Sequence, residues 1–190
     1  MSFDQPLTEL RLERWNRPPD EHDLAMLSLC VGPTLDVGCG PGRLTAHLAE
    51  LGHVTLGIDI AGEAVEQTRE RGGSALRRNV FDAVPGEGRW ETVLVADGNI
   101  GIGGDPVALL RRLRELVDPR GRIVVELAPP GTQQADDWAT LRTSDGVEHT
   151  FRWSVVGVDH IEDLAARAGL TVGRCAAYDE RWCAVLEETA

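Results

Sequence analysis

The sequence predicts an α/β fold: a doubly wound, mostly parallel sheet with an antiparallel C-terminal strand. Three observations carry the prediction. Short apolar runs alternate with helical stripes from Thr34 onward, three glycines crowd the end of the first run in "TLDVGCGPGR", and "LTVGRCAAYDERWCAVLEE" places two strands around a short turn. Alternating strands and helices imply βαβ units with right-handed crossovers. These leave the parallel strand C-termini on one edge, where ligands bind. Two strands joined tightly must instead pair antiparallel.

Taken in order, residues 1–19 read as irregular and end at a break in "NRPPD". "DEHDLAMLSLC" reads as a helix capped by Asp20, with acids in its first turn. "TLDVG" is a strand, and residues 43–51 form a helix with Leu44, Leu48 and Leu51 on one face. "HVTLGID" is the next strand; Ala61, Val65 and Thr68 stripe the helix after it; "SALRRNV" is a third strand. "ETVLVAD" is a fourth, followed by a glycine-rich loop and a helix with Asp105 as cap and Pro106 at its first position. "GRIVVELA" is apolar enough to be buried on both faces. "TLRTSDGVEHTFRW" alternates around Asp145-Gly146, a hairpin signal. A helix over 159–168 then turns Ile161, Leu164, Ala165 and Ala168 inward, ahead of the final strand pair. The chain reads as one domain over 1–190. Its parts are an N-terminal segment and helix (1–33), a core (34–128), an insert with a hairpin (129–158), and a helix with a strand pair (159–190).

The bulk composition narrows the function. With 190 residues, 42% hydrophobic and 26% charged, the chain suits one ordered domain. No run approaches the roughly 18 apolar residues of a membrane helix, and "MSFDQPLTELRLERW" has no apolar signal core, so a soluble cytoplasmic protein is expected. The net charge of -12 opposes polyanionic partners: no nucleic acid and no membrane, but a small-molecule substrate, with the chain a monomer or homodimer. Arg111, Arg112, Arg114, Arg120 and Arg122 cluster in "RRLRELVDPRGR" and read as a solvated helix face and turn. All 19 basic residues are arginine, which excludes Schiff-base lysines and the P-loop lysine. The four cysteines form no CxxC pair or zinc spacing, so reduced thiols are expected.

Gly38, Gly40 and Gly42 need a reason, since a glycine inside an element costs about 0.5–1 kcal/mol relative to alanine. Either the turn is tight or the backbone lies against a ligand. A dinucleotide fingerprint would require its third glycine at Arg43, and fails there. Asp59, ending the second core strand, suits a carboxylate accepting from ribose hydroxyls.

"LDVGCGPG" followed by "GIDIA" and "NVFD" resembles the class I S-adenosylmethionine-dependent methyltransferases over about residues 34–128. The resemblance implies a Rossmann-like seven-stranded sheet and S-adenosylmethionine as cofactor, leaving as S-adenosylhomocysteine. Asp36 would orient the glycine turn and the cofactor amino group. Gly38, Cys39, Gly40 and Gly42 would admit the methionyl part, its carboxylate near the helix N-terminus at Arg43. Asp59 would hold the ribose hydroxyls, with Ile60 beside it. Asp82 would accept from the adenine amino group, with Val80 and Phe81 at the ring, and Ala96, Asp97 and Gly98 would complete the cofactor wall. Read as residues alone, Asp36 could bind nearby amides, Asp59 could cap a helix and Phe81 could be core.

Methyl transfer from a sulfonium is an in-line displacement in which orientation contributes roughly 7–11 kcal/mol. A base is needed only for a protonated acceptor. Asp97 and Asn99, in "ADGNIGIGGDP", are the candidates for acceptor contact; a side-chain turn that fixes the loop is the alternative for Asp97. The Asn/Asp-Pro-Pro-aromatic run of nucleic-acid amino methyltransferases is missing, and the Asp-Asn pair that the metal-dependent type carries after the next strand is replaced by "ELAPP", so no metal is expected. The insert carries Trp138, Phe151 and Trp153 with Arg142, Arg152 and His149, suiting a small-molecule pocket or, equally, a core patch or dimer contact. His149 is a candidate base or a surface histidine. Trp15 and Arg17 could close over the cofactor or simply pack. The function expected is methyl transfer to a small molecule. A non-catalytic cofactor-binding protein is the alternative, ahead of a nicotinamide-dependent oxidoreductase.

Overall fold

A computed structural model describes residues 8–11, 15–142, 146, 148–178 and 181–189. The chain runs β1 (Thr8–Arg11), α1 (Glu21–Leu27), β2 (Thr34–Val37), α2 (Arg43–Glu50), β3 (Thr55–Asp59), α3 (Gly62–Glu70), β4 (Ala75–Arg77) and β5 (Trp90–Val95). It continues with α4 (Pro106–Leu116), β6 (Val117–Leu127), β7 (Ala135–Arg142), β8 (Glu148–Val155), α5 (Ile161–Ala168), β9 (Leu170–Tyr178) and β10 (Arg181–Glu188).

Seven strands form one sheet in the order β4-β3-β2-β5-β6-β10-β9. The first five are parallel; β10 runs antiparallel to both β6 and β9, so it alone is reversed. This is the Rossmann-like arrangement expected. Side-chain alternation divides the core between the two faces. Val93, Val95, Ile123 and Val125 meet the leucines of α4 and the Ile161, Leu164, Ala165, Ala168 stripe of α5. Leu94, Ala96, Val124 and Val185 meet Met26 and Leu27 of α1 and Leu44 and Leu48 of α2. Each fully buried leucine is worth roughly 1.5–3 kcal/mol. The helix starts follow from their caps. Asp20 and Asp23 exchange backbone-to-carboxylate bonds of 2.9 Å in a capping box, and Asp105 accepts from Ala108 N at 3.0 Å with Pro106 inside the first turn.

Four expectations are corrected. Residues 8–11 are not irregular: they form β1, parallel to β7, making with the β7–β8 hairpin a second, three-stranded sheet in the order β1-β7-β8. Leu51 is 61% exposed, because the helix ends at Glu50 and leaves it as the C-cap. β6 starts directly at Val117 and includes the expected turn; the pairing with β5 shifts register there, around Pro119, which has no N–H to give. The arginine cluster is not uniformly solvated. Arg112 donates to the carbonyls of Val80 (2.9 Å) and Asp82 (2.8 Å) and pairs with Glu87, clamping the loop after β4. Asp145 of the predicted hairpin turn lies outside the described residues. Among those described, no helix is long and apolar enough to cross a membrane.

Candidate functional site

A cavity of about 220 Å³ opens at the C-terminal ends of β2, β3, β4 and β5, roofed by the small sheet. Its floor is the glycine turn. The N–H groups of Gly38 and Cys39 both donate to Ile58 O (2.9 and 3.1 Å), folding the turn back onto β3. Gly38 has φ +74°, and a Cβ there would lie 2.6 Å from the Asn99 amide. Gly42 has φ +80°, and a Cβ would lie 2.5 Å from the Thr68 hydroxyl. Both explanations of the glycines therefore hold at different positions: Gly38 and Gly40 face the cavity, while Gly42 is a tight-packing residue against α3 and does not line it. Cys39 lends backbone to the wall, its thiol turned toward Thr68 and Gly57. Burial pushes that thiol well above its ordinary pKa.

Two carboxylates meet this floor. Asp36, 2% exposed, accepts from Thr45 Oγ1 at 2.6 Å. Burial drives its pKa up to about 6, the Thr45 bond opposing and the nearby Asp97 and Asp59 charges reinforcing. Asp59 accepts from Gly40 N at 3.0 Å and Ala61 N at 2.9 Å, so it ties the glycine turn to the start of α3 while lining the cavity. Burial raises its pKa as well, against those backbone N–H groups.

Arg43, 3% exposed, faces the same space. Its Nη2 donates to both oxygens of Asp97 (2.6 and 2.8 Å), and its Nη1 lies 2.8 Å from Asp23 Oδ2 without donor geometry. Nε has no partner. One buried guanidinium donor, Nε, is thus left without a partner beside a glycine turn, and it fits an anionic group of a ligand. A wider ion network backs it, none of it anticipated from sequence. Arg181 of β10 pairs with Glu126 (2.6 Å) and Asp23 (2.8 Å), and Glu126 accepts from Asp97 N at 2.7 Å. That bond holds Asp97 at φ +54°, the one non-glycine residue with positive φ among those described. Arg17 joins this network at Asp23 and does not close over the cavity. Burial lifts Asp97, opposed by Arg43 and helped by Glu126.

At the far end the cavity is lined by Ile60, Arg78, Asn79, Val80 and Phe81. Asp82 is exposed and outside it, offering only its carbonyl, to Arg112. The strand ends at Arg77, not Val80, so the first polar side chains past the edge are Arg78 and Asn79, and both line the cavity. Position relative to the strand end was the signal available in the sequence.

The opposite end lies under the insert. Ala96, Asp97, Asn99, Ile102 and Gly103 face Leu141, Phe151 and Trp153, with Trp15 packed against Leu141, Phe151, Ala61 and Ala64. Gly98 lies just outside, a Cβ there reaching Trp153 at 3.8 Å. Asn99 is not free for a ligand through its nitrogen, which donates to Val37 O and Gly38 O (3.0 and 2.9 Å) and braces the glycine turn. Alternation along β8 sorts the insert. Phe151 and Trp153, ring centres 5.9 Å apart, face the cavity; Trp138 lies on the other face, its ring 5.6 Å from Arg152, and Arg142 pairs with Glu148. His149 shares the face of Phe151 but does not line the cavity.

Residues 34–121 match the family model of a methyltransferase domain. The ubiquinone biosynthesis O-methyltransferase of Cereibacter sphaeroides is 27% identical over 150 residues, covering 72% of this chain and 59% of that one. The chain spans about half the length of the curated relatives it matches. Two solved structures share its fold. One is a SAM-dependent methyltransferase from Bacteroides fragilis in complex with S-adenosylhomocysteine (TM-score 0.73, 22% identity, 94% of this chain and 81% of that one). The other is the 1,6-didemethyltoxoflavin-N1-methyltransferase of Burkholderia thailandensis, holding its substrate and S-adenosylhomocysteine (TM-score 0.67, 15% identity, 94% and 82%).

Proposed function

We propose that the chain methylates a small molecule with S-adenosylmethionine as methyl donor, a reading supported by the match of residues 34–121 to the model of a methyltransferase domain and by the fold shared with solved S-adenosylmethionine-dependent methyltransferases. One observation carries the reading: a single cavity joins a glycine turn, the buried carboxylate of Asp36, the half-buried one of Asp59 and an under-bonded arginine to an aromatic-walled end beneath the insert.

The donor supplies an electrophilic methyl on a sulfonium. The protein's part is to place it. The open Nε of Arg43 would take the methionyl carboxylate, and Asp36 the amino group, whose positive charge favours the ionised carboxyl. Asp59 keeps lone pairs for the ribose hydroxyls while Gly40 and Ala61 hold it still. Asn79 would read the adenine edge, between Val80 and Phe81. Asp97 and Asn99 then shape the methyl end by fixing the loop and the glycine turn, a positioning role. The roof of Phe151 and Trp153 excludes water from the acceptor. A net charge of -12 supports a small acceptor over nucleic acid, and four unpaired cysteines suit a reducing compartment, so we place the protein in the cytoplasm.

Calorimetric titration with S-adenosylhomocysteine tests the reading. Wild type binds, and Asp59→Ala weakens binding over tenfold, the cost of on the order of 2 kcal/mol for two lost hydrogen bonds to a buried carboxylate. No binding by wild type sinks it.

A further inference from the structure

The atom that receives the methyl group follows from what lines the acceptor end, an inference that rests on the methyl-transfer reading above. The walls there are Ile102, Phe151 and Trp153. Two polar side chains face them and both are committed. Asp97 gives its two oxygens to Arg43 Nη2, and Asn99 Nδ2 donates to two backbone carbonyls. Burial raises the Asp97 pKa, but both of its oxygens are already taken by that guanidinium, so neither is turned to an incoming hydroxyl.

The remaining titratable groups around the cavity serve elsewhere. Asp36 of β2 is bonded to Thr45; Asp59 of β3 is bonded to Gly40 and Ala61; His149 of β8 does not line the cavity. Arg43 and Arg78 accept no proton. Among the described residues, the acceptor end offers no uncommitted base.

A hydroxyl must shed its proton for attack, and a base has to be at hand. A neutral amine attacks with a lone pair it already has. We propose that the acceptor is an amine on a flat apolar scaffold, methylated at nitrogen. The aromatic walls suit it twice, stacking on the scaffold and favouring the positive charge that grows on nitrogen. The step balances. The nitrogen lone pair forms the bond to the methyl carbon while the carbon–sulfur bond breaks, its electron pair returning to sulfur as the thioether of S-adenosylhomocysteine. The ammonium so formed gives its N–H proton to water.

The experiment has two stages. Calorimetry with S-adenosylhomocysteine comes first; absence of binding there overturns the methyl-transfer reading itself. Protein loaded with S-adenosylhomocysteine is then titrated with tetrahydroisoquinoline, N-methylbenzylamine and indoline, set against 2-naphthol, 4-ethylphenol and benzyl alcohol. Binding is read by tryptophan fluorescence, and turnover by S-adenosylhomocysteine release from the methyl donor. Amines are expected to bind, and to exceed the hydroxyl compounds at least tenfold in kcat/KM. The pH inflection of kcat/KM should move with each amine's own pKa. Hydroxyl compounds as good or better, an inflection fixed across the amines, or no amine bound and methylated by cofactor-binding protein would each overturn the proposal.

Discussion

Arg43 carries its charge at 3% exposure between Asp23 and Asp97, and its Nε is still unpartnered. Removing it strips Asp97 of its guanidinium partner in a largely buried place, while Asp23 keeps Arg17 and Arg181, so Arg43→Gln should lose about 3 kcal/mol of stability, read by urea denaturation. Its ligand-side role separates from that loss by choice of probe. At a temperature where the variant is folded, S-adenosylhomocysteine should bind over tenfold more weakly. 5′-Methylthioadenosine, which has no carboxylate to meet the guanidinium, should be unaffected. Equal weakening of both would mean that the variant has merely loosened the cavity. Lysine is no substitute here, because one ammonium cannot span Asp23 and Asp97 as the planar fork does.

The hairpin β7–β8 is seated on the loop after β5 through a backbone contact with no slack. A Cβ on Gly101 would lie 1.9 Å from Ser154 O. Gly101→Ala should therefore push the hairpin off the cavity at a cost of about 1–3 kcal/mol, seen as faster proteolysis within 133–157 together with weaker cofactor binding. Intact protease resistance would show that the contact relaxes freely. Local pattern made the core elements legible: the caps Asp20 and Asp105, the Ile161, Leu164, Ala165, Ala168 stripe, and the strand–glycine–helix junction at Gly38 all act within a few residues. The parts that escaped depend on long-range pairing. Thr8 lies opposite Ala139, and Arg181 meets Asp23 and Glu126; no periodicity announces such partners. The same holds for Asn99, a suitable ligand contact by type, whose amide is spent on Val37 and Gly38. Asp82 misled because the third core strand stops three residues early, an edge that only its pairing with β3 fixes.

Across the whole molecule, the cavity stores unfavourable charge. Asp36 titrates at about 6 when folded against an ordinary 3.8, so between those values the native state holds a proton that the unfolded chain has released. Stability from this group is full below about 3.8 and declines as pH rises through about 6, by about 3 kcal/mol in total. Asp59 and Asp97 shift the same way, whereas Asp23 opposes them: burial raises it, but the Asp20 backbone N–H, Arg43 and Arg181 outweigh that and leave it lowered. Asp36→Asn isolates the effect. Without cofactor it should match wild type near pH 4 and exceed it by about 3 kcal/mol at pH 7.5, roughly 6–12 °C in melting temperature, while losing affinity for the cofactor. A constant difference across pH would refute the stored-charge account. One further consequence concerns synthesis on the ribosome. Because β10 is threaded between β6 and β9 and brings Arg181 to Glu126 and Asp23, a nascent chain halted before residue 181 has neither a closed sheet nor a neutralised floor beneath the glycine turn. A fragment ending at residue 180 is therefore expected to bind S-adenosylhomocysteine far more weakly than the full chain, and calorimetry on that fragment checks it.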